Sequence, residues 1–505
     1  MLLNKLLSES VYTVLRGKLE NVDITGIRYD SRTVTAGDLF VCLRGALTDG
    51  HFFADKAYAR GARAFLTERL LEELPGDAVQ ICVSDTRKEL AVVSAVYRGH
   101  PADSLHVIGV TGTKGKTTTA LLISSILNGA GVSCAYLGSN GVIINGEHID
   151  SPNTTPESCE LQKYFRMMVD AGVRHVALEV SSQALDHFRV YGVPFDVTVF
   201  TNLYRDHIGE GEHSSFEEYK AAKAKLFTDY KKELIITNVD DPNSIAVTGS
   251  DVVTPRLSYS INDRDADYFA DVIKPYRDRT SLGISFVCHH NGISVPVSLK
   301  SPGRFSVSNA LAAIAAVGHY GIDTKTSSEI LSNVTVTGRF EIVEGIEGRT
   351  FIIDYAHNGI SLESALSVLR EYSPERIICV YGSVGGRTRE RRRELAEAAS
   401  RLADYSVITS DNPDFEPPSD IAYEIASHLE KGAKYEIVVD RDAAVRRAVR
   451  ISREGDVVLF AGKGHERYQL IEGVKVPFSE RAIIEEECEA IRREEIKKRI
   501  TAQTV

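Results

Sequence analysis

The residues best suited to chemistry in this chain fall between His106 and Leu127, HVIGVTGTKGKTTTALLISSIL. The apolar, β-branched run from residue 106 to 111 reads as a buried strand, GTKG as a tight turn, and the stretch from Lys116 as a helix. Gly112 and Gly115 let the backbone turn and aim its N–H groups inward, while the positive end of the helix points at the same spot. That is a cradle for phosphate oxygens, lined by Gly112, Thr113, Lys114, Gly115 and Thr118. Lys116 can reach terminal phosphates, and the Thr117 hydroxyl is placed to ligand Mg²⁺. A strict P-loop has glycine five residues before Gly115; Val110 stands there, so GTKGKTT is a variant.

Short β-rich runs position this loop. HVALEV (175–180), DVTVFT (196–201) and ELIITN (233–238) alternate with helical stretches, as a parallel sheet covered on both faces requires. In such sheets ligands gather beyond the carboxyl ends of the strands. One end delivers Glu179, Ser181 and Ser182; the next delivers Thr201-Asn202 and then Asp206-His207. A phosphate loop, a strand-end carboxylate and a strand-end histidine together suit one or two Mg²⁺ ions held against a nucleotide. From about residue 336 the alternation restarts with TFIIDYA, RIICVYG, YSVITS and DVVLFAG, separated by helices such as 389–402 and 441–452. The organisation is α/β, with boundaries at 1–102, 103–335 and 336–505.

Composition narrows the classes. The chain has 505 residues, 43% of them apolar and 26% charged, as in an ordinary globular enzyme. The net charge of −11 argues against a nucleic-acid partner. No apolar run approaches the ~20 residues of a membrane span, and the first 17 residues read as an amphipathic helix rather than a signal peptide. Seven scattered cysteines without a C-x-x-C pair fit reduced thiols in the cytoplasm. Cys288-His289-His290 reads as a hairpin shoulder, because Asn291-Gly292 follows; Asn145-Gly146 marks a second hairpin. The mixed-charge run 485–499 reads as a solvated C-terminal helix.

A longer series of segments carries a resemblance. GTKGKTTT, NTTPES (153–158), EVSSQALDHFRV (179–190), TNLYRDH (201–207) and YKAAKAKLF (219–227) occur in order. SVSNALAAIAA (306–316), TGRFE (337–341), DYAHNGISLE (354–363), SDNP (410–413) and AGKGHE (461–466) continue it, with DSRTVTAGDLFVCLRG (30–45) in front. Together they resemble the Mur ligase family over nearly the whole chain. The resemblance implies an N-terminal UDP-sugar domain, a central P-loop-type parallel-sheet domain that binds ATP, and a C-terminal Rossmann-like domain that binds the amino acid. It implies a cytoplasmic, monomeric enzyme that uses ATP and Mg²⁺ to phosphorylate a peptide carboxylate, which an amine then attacks. The substrate implied is UDP-MurNAc-L-Ala-D-Glu, extended by a diamino acid as third stem-peptide residue. A P-loop motor usually ends its second metal strand in Asp, whereas Glu179-Val180-Ser181-Ser182 stands here. A different acid–amine ligase and a non-catalytic homologue are the remaining alternatives.

Carried over by position, Lys116 and Thr117 handle phosphates and Mg²⁺, and Glu179, His207 and Lys223 ligand metal. Lys223, in Tyr219-Lys220-Ala221-Ala222-Lys223, matches a lysine that the family carbamylates to N6-carboxylysine, which replaces a repelling ammonium by an oxygen ligand. Asn309, Arg339 and Asp354 match contacts to ATP. Ser31, Asn153, Thr154, Thr155, Ser181, His187 and Arg189 match contacts to the UDP-sugar-peptide, although His187 stands where many relatives have glutamine. Arg392, Asp411, Asn412, Asp414, Gly462 and Glu466 match the amino-acid site. Diaminopimelate-adding relatives usually read Asp-Asn-Pro-Arg where this chain has Asp411-Asn412-Pro413-Asp414. An aspartate repels a distal carboxylate and attracts an ammonium, which favours L-lysine. meso-Diaminopimelate is the alternative, with an arginine from the run 387–393 supplying the grip.

Overall fold

The structure, a computed structural model, describes residues 1–45, 48–205, 208–209, 213–277, 282–386 and 389–503, with side chains to residue 497. The chain folds as two compact units, one of residues 1–269 with 309–323, the other of residues 270–308 with 324–505.

The first unit carries two sheets. In the N-terminal one, four strands between Gly26 and Cys82 run parallel, and Thr13–Arg16 adds antiparallel to Val79–Cys82 at one edge. The single amphipathic helix expected over the first 17 residues is therefore not formed; helix is confined to Leu3–Leu6. Val11, Tyr12, Thr13 and Val14 explain the break, since β-branched and aromatic side chains lose χ1 freedom in a helix and pack well in a strand.

The second sheet holds the phosphate loop. Its parallel core comprises β1 (His106–Thr111), β2 (Cys134–Gly138), β3 (His175–Glu179), β4 (Val197–Phe200) and β5 (Leu234–Asn238), in the spatial order β5-β4-β1-β3-β2. Strands β2 to β5 are buried throughout, which is why they read as mainly apolar runs. β1 lies between two strands that follow it in the chain, so the strand order reverses at its carboxyl end and opens a crevice there. Helix α1 (Lys116–Gly129) leaves from that crevice. At the sheet edge Asn145-Gly146 closes a hairpin with φ of 49° and 85°, the turn type that an Asn-Gly pair favours.

In the second unit a six-stranded sheet contains β6 (Thr350–Asp354), β7 (Arg376–Tyr381), β8 (Tyr405–Ile408) and β9 (Asp456–Ala461), parallel in the order β6-β9-β7-β8. These are the four runs read from the sequence. Asn291-Gly292 turns the hairpin between Leu282–His290 and Ile293–Leu299, and His289 bonds Asp271 and Ser294 at 2.8 Å each. The C-terminal helix Glu480–Gln503 is not solvated all round. Ile483, Ile484, Cys488 and Ile491 form an apolar stripe packed with Phe351 and Val458, and Glu480 and Glu487 are buried as well, paired with Arg441 and with Arg446 and Arg450. Among the described residues no helix is long and apolar enough to cross a membrane, and all seven cysteines are free thiols.

Candidate active site

The loop after β1 folds as its glycines demand. Gly112 has φ of 151° and Gly115 of 85°, and a Cβ at Gly115 would collide with Oδ1 of Asn309. Asn309 thus seats against the loop, and its Oδ1 accepts from the Thr119 hydroxyl at 3.4 Å. The residues after β4 clamp the other side. Thr113 N donates to Asn202 O at 2.9 Å and Lys114 N to Asn202 Oδ1 at 2.8 Å, while the Thr201 hydroxyl donates to Lys114 O at 2.7 Å. Lys116 folds back over the loop, its Nζ donating to Gly112 O at 2.8 Å and Thr113 O at 3.1 Å. Thr118 sits half-buried in the first turn of α1.

Glu179, at the end of β3, is wholly buried. Its Oε2 accepts from the Thr117 hydroxyl at 3.0 Å; its Oε1 accepts from the Tyr136 hydroxyl at 2.5 Å and from Ser139 N at 2.9 Å. Among the described residues no three His, Cys, Asp or Glu side chains are grouped to hold a metal. Mg²⁺ does not need such a cage, because it binds through one or two carboxylates with substrate phosphates and water. A buried carboxylate against a threonine hydroxyl beside a phosphate cradle fits that ion. His207 lies outside the described residues. Lys223, on helix α2 (Phe216–Thr228), is buried, donates to Gly112 O at 3.0 Å and lies over the Tyr219 ring at 4.5 Å. The ammonium groups of Lys116 and Lys223 therefore share one carbonyl oxygen.

Next to Glu179 the residues expected to face the substrate form a chain of bonds. The Thr155 hydroxyl donates to Glu179 O at 2.7 Å and accepts from Ser181 N at 3.1 Å. Ser181 caps the short helix Ser182–Asp186, its hydroxyl accepting from Ala184 N at 3.2 Å. The Thr154 hydroxyl lies 3.0 Å from that of Ser139, and Asn153 is exposed. Arg189 pairs with Glu157 at 2.8 Å and donates to Thr155 O at 3.1 Å, so its fork already braces the loop. His187 follows that helix. Burial first, then the cations of Arg87 and Arg189, push its pKa down from 6.5 to about 4, so it is neutral at pH 7. Ser31 is buried at the start of a single 3₁₀ turn capped by Asp30, whose carboxyl is held below its usual value by the Arg32 hydrogen bond.

In the second unit, the strand ends of β6, β8 and β9 carry a second cluster, centred on a residue the sequence reading did not single out. Lys463 is wholly buried; its Nζ donates to Asn412 Oδ1 and Glu466 Oε2 at 2.6 Å each and lies 3.6 Å from Asp411 Oδ1. Asn412 Nδ2 also donates to Glu466 Oε2 at 2.9 Å. A Cβ at Gly462, where φ is 113°, would press on Asp411. Asp354 accepts from Phe340 N at 2.8 Å, and the Arg339 guanidinium stacks 4.8 Å over Tyr355. Two expected contacts stand apart from this cluster. Arg392 is buried between Glu416 and Glu424, at 2.6 and 2.5 Å. Asp414, at φ of 51°, spends its carboxylate on Gly473 N at 2.8 Å, capping the hairpin turn between Tyr468–Ile471 and Val474–Pro477. The charge of Asp414 is thus tied into a turn, which weakens the sequence argument that it selects an ammonium.

Comparison with known proteins adds a second line of observation. Residues 23–102 match the Mur ligase family catalytic domain, residues 110–317 the Mur ligase middle domain, and residues 338–464 the Mur ligase glutamate ligase domain. The UDP-N-acetylmuramoyl-L-alanyl-D-glutamate–2,6-diaminopimelate ligase of Syntrophomonas wolfei is 40% identical over 92% of this chain and 94% of its own. The protein of the same name from Clostridium botulinum is 39% identical over 96% and 99%. Among solved structures, a UDP-N-acetylmuramoyl-L-alanyl-D-glutamate–2,6-diaminopimelate ligase superposes with a TM-score of 0.68 at 27% identity, covering 97% of this chain and 99% of that one. MurF from Acinetobacter baumannii shares the fold, with a TM-score of 0.63 at 20% identity over 91% and 95%.

Proposed function

The chain belongs to the Mur ligase family, and from that premise we propose that it is the ATP-dependent ligase that adds meso-diaminopimelate to UDP-MurNAc-L-Ala-D-Glu. The observation that carries the chemistry is the Thr117–Glu179 pair, 3.0 Å apart at the mouth of the phosphate loop. The choice of amino acid departs from the sequence expectation of L-lysine. Eight relatives at 37–40% identity bear a 2,6-diaminopimelate name, and the Asp414 carboxylate that suggested lysine is bonded into a turn.

A carboxylate is a poor electrophile at neutral pH, and transfer of the ATP γ-phosphoryl group to it creates a good leaving group. In the proposed reaction the loop N–H groups and Lys116 bind the phosphates and take up the negative charge that spreads over the transferring oxygens. Thr117 and Glu179 would hold Mg²⁺, which when bound would supply further charge neutralisation. Thr155, Ser181 and the neutral His187 orient the peptide end of the substrate, and Asn309, seated against the loop, supports the nucleotide. Asn412, Gly462 and Glu466 receive the amino acid, while Arg392, already paired with Glu416 and Glu424, takes no part in holding it. The amine then attacks the acyl carbon and inorganic phosphate leaves. Carbamylation of Lys223, in which its neutral amine adds CO₂ and loses a proton, would relieve the like-charge contact with Lys116 over Gly112 O. The proposed setting is a monomer in the cytoplasm.

The test mixes the chain with Mg-ATP, UDP-MurNAc-L-Ala-D-Glu carrying ¹⁸O in its terminal carboxylate, and a panel of diamino acids. Phosphate release that depends on diaminopimelate, with one ¹⁸O in the phosphate, supports the proposal. Release without any amine, or phosphate free of the label, overturns it.

A further inference from the structure

Glu179 is held by a neighbour that nothing in the phosphate-loop pattern foretells. Tyr136 lies on β2, paired in register with β3 so that it stands opposite Ala177, and it is buried. Its hydroxyl accepts from Asn140 N at 3.2 Å. A tyrosine hydroxyl has a single proton to give, and the 2.5 Å contact directs that proton at Glu179 Oε1. Ser139 N gives Oε1 a second donor. The remaining carboxylate oxygen, Oε2, accepts from the Thr117 hydroxyl at 3.0 Å and, more weakly, from the Ser139 hydroxyl at 3.4 Å. Gly138 closes the arrangement, because a Cβ there would collide with both Glu179 Oε1 and the Tyr136 hydroxyl.

We propose that Tyr136 is a positioning residue for the divalent cation. Its hydroxyl fixes the carboxylate of Glu179 through Oε1 and leaves Oε2, on the Thr117 side, as the atom offered to the ion. The inference rests on Glu179 being a metal-holding residue, as proposed above. A charge-assisted bond from a buried hydroxyl is among the stronger neutral-to-ion contacts. Outer-shell partners of metal ligands are worth about 10–100-fold in metal affinity. Without the hydroxyl, Oε1 keeps only the Ser139 N–H as donor and the carboxylate is less firmly oriented.

The test is Mn²⁺ binding to the chain in the presence of ADP, read by the loss of the free-ion electron paramagnetic resonance signal. Tyr136→Phe keeps the ring and removes only the hydroxyl; it should weaken Mn²⁺ binding about tenfold in a chain that remains folded by circular dichroism. Gly138→Ala should weaken it as well, by pushing into the same pair. Glu179→Gln separates the two propositions. If Glu179→Gln leaves Mn²⁺ binding intact, the metal role of Glu179 fails and this inference falls with it. If Glu179→Gln abolishes binding while a folded Tyr136→Phe stays within twofold of the unmodified chain, the role of Tyr136 alone is overturned. Should Tyr136→Phe not fold, Gly138→Ala decides by the same twofold criterion.

Discussion

Lys463→Met would remove one cation and leave its carboxylate partners behind. The ammonium touches Asn412 Oδ1 and Glu466 Oε2 at 2.6 Å and faces Asp411 Oδ1 at 3.6 Å, with Lys463 and Asp411 almost wholly buried. Breaking a buried ion pair from one side costs about 3–5 kcal/mol, because the surviving charge is left unpaired out of water. Methionine fills similar volume, so little of that cost arises from a cavity. Glu466→Gln alone keeps the lysine's bonds to Asn412 and Asp411 and should cost less, about 1–3 kcal/mol. The double variant has no stranded Glu466 carboxylate, so it should be more stable than the sum of the singles by about 2 kcal/mol. Urea unfolding of the second unit, followed by circular dichroism across the four proteins, measures this coupling. The diaminopimelate KM should rise in Lys463→Met, since Asn412 and Glu466 lose their shared anchor. Additive effects, with coupling below about 0.5 kcal/mol, would refute the account of Lys463 as the pin of this cluster.

Three further outcomes follow from the geometry. Gly115→Ala strains a residue at φ of 85° by about 1–2 kcal/mol and drives a methyl group onto Asn309; the KM for ATP should rise at least about tenfold, and an unchanged value would remove the loop conformation from the argument. His187, pushed down to about 4 in the fold against 6.5 when unfolded, binds fewer protons folded than unfolded between those values. Stability is thus full above pH 6.5 and falls as pH drops towards 4, by no more than about 3 kcal/mol; a His187 ring resonance titrating near 6.5 would contradict this. Asp414→Asn keeps a side chain that can accept from Gly473 N and tolerate φ of 51°, so the preference for diaminopimelate over lysine should not move. A tenfold change in that ratio would return Asp414 to the role of selector.

What could be read from the sequence divides along a physical line. The turn after β1 was legible because its shape is written in contiguous residues: Gly112 and Gly115 for the positive φ, then Lys116 and Thr117 opening a helix. Glu179 was legible because a polar residue at the end of an apolar strand must be bought by something, and in a parallel sheet that end faces the ligand crevice. Tyr136 was not, since a tyrosine inside an apolar run is indistinguishable from core until its partner, 43 residues away, is brought beside it. Lys463 was quoted within AGKGHE, yet its bonds to Asn412 cross 51 residues, and a lysine carries no local sign of being buried. The N-terminal error had the opposite origin: an i, i+3, i+4 pattern over seventeen residues was outweighed by four strand-forming side chains and an available sheet edge. The solvated reading of the C-terminal helix failed because its charges outnumber its isoleucines, while a single stripe of four apolar residues is enough to dock it.

Asp414 brings these strands together. As a letter in SDNPD it is a charge near a substrate, and electrostatics alone predicts that it repels a carboxylate. In the fold it occupies a left-handed position where short polar side chains are favoured, and its carboxylate is spent on a backbone N–H of the neighbouring hairpin. Arg392, with two glutamates around it, makes the same point for a cation. Charge identity therefore predicts specificity only for side chains whose hydrogen-bonding capacity the fold has not already consumed. By that condition Glu466, whose Oε2 already accepts from Lys463 and Asn412, stands with Asp414: each would have to exchange an existing bond before its charge could meet a substrate.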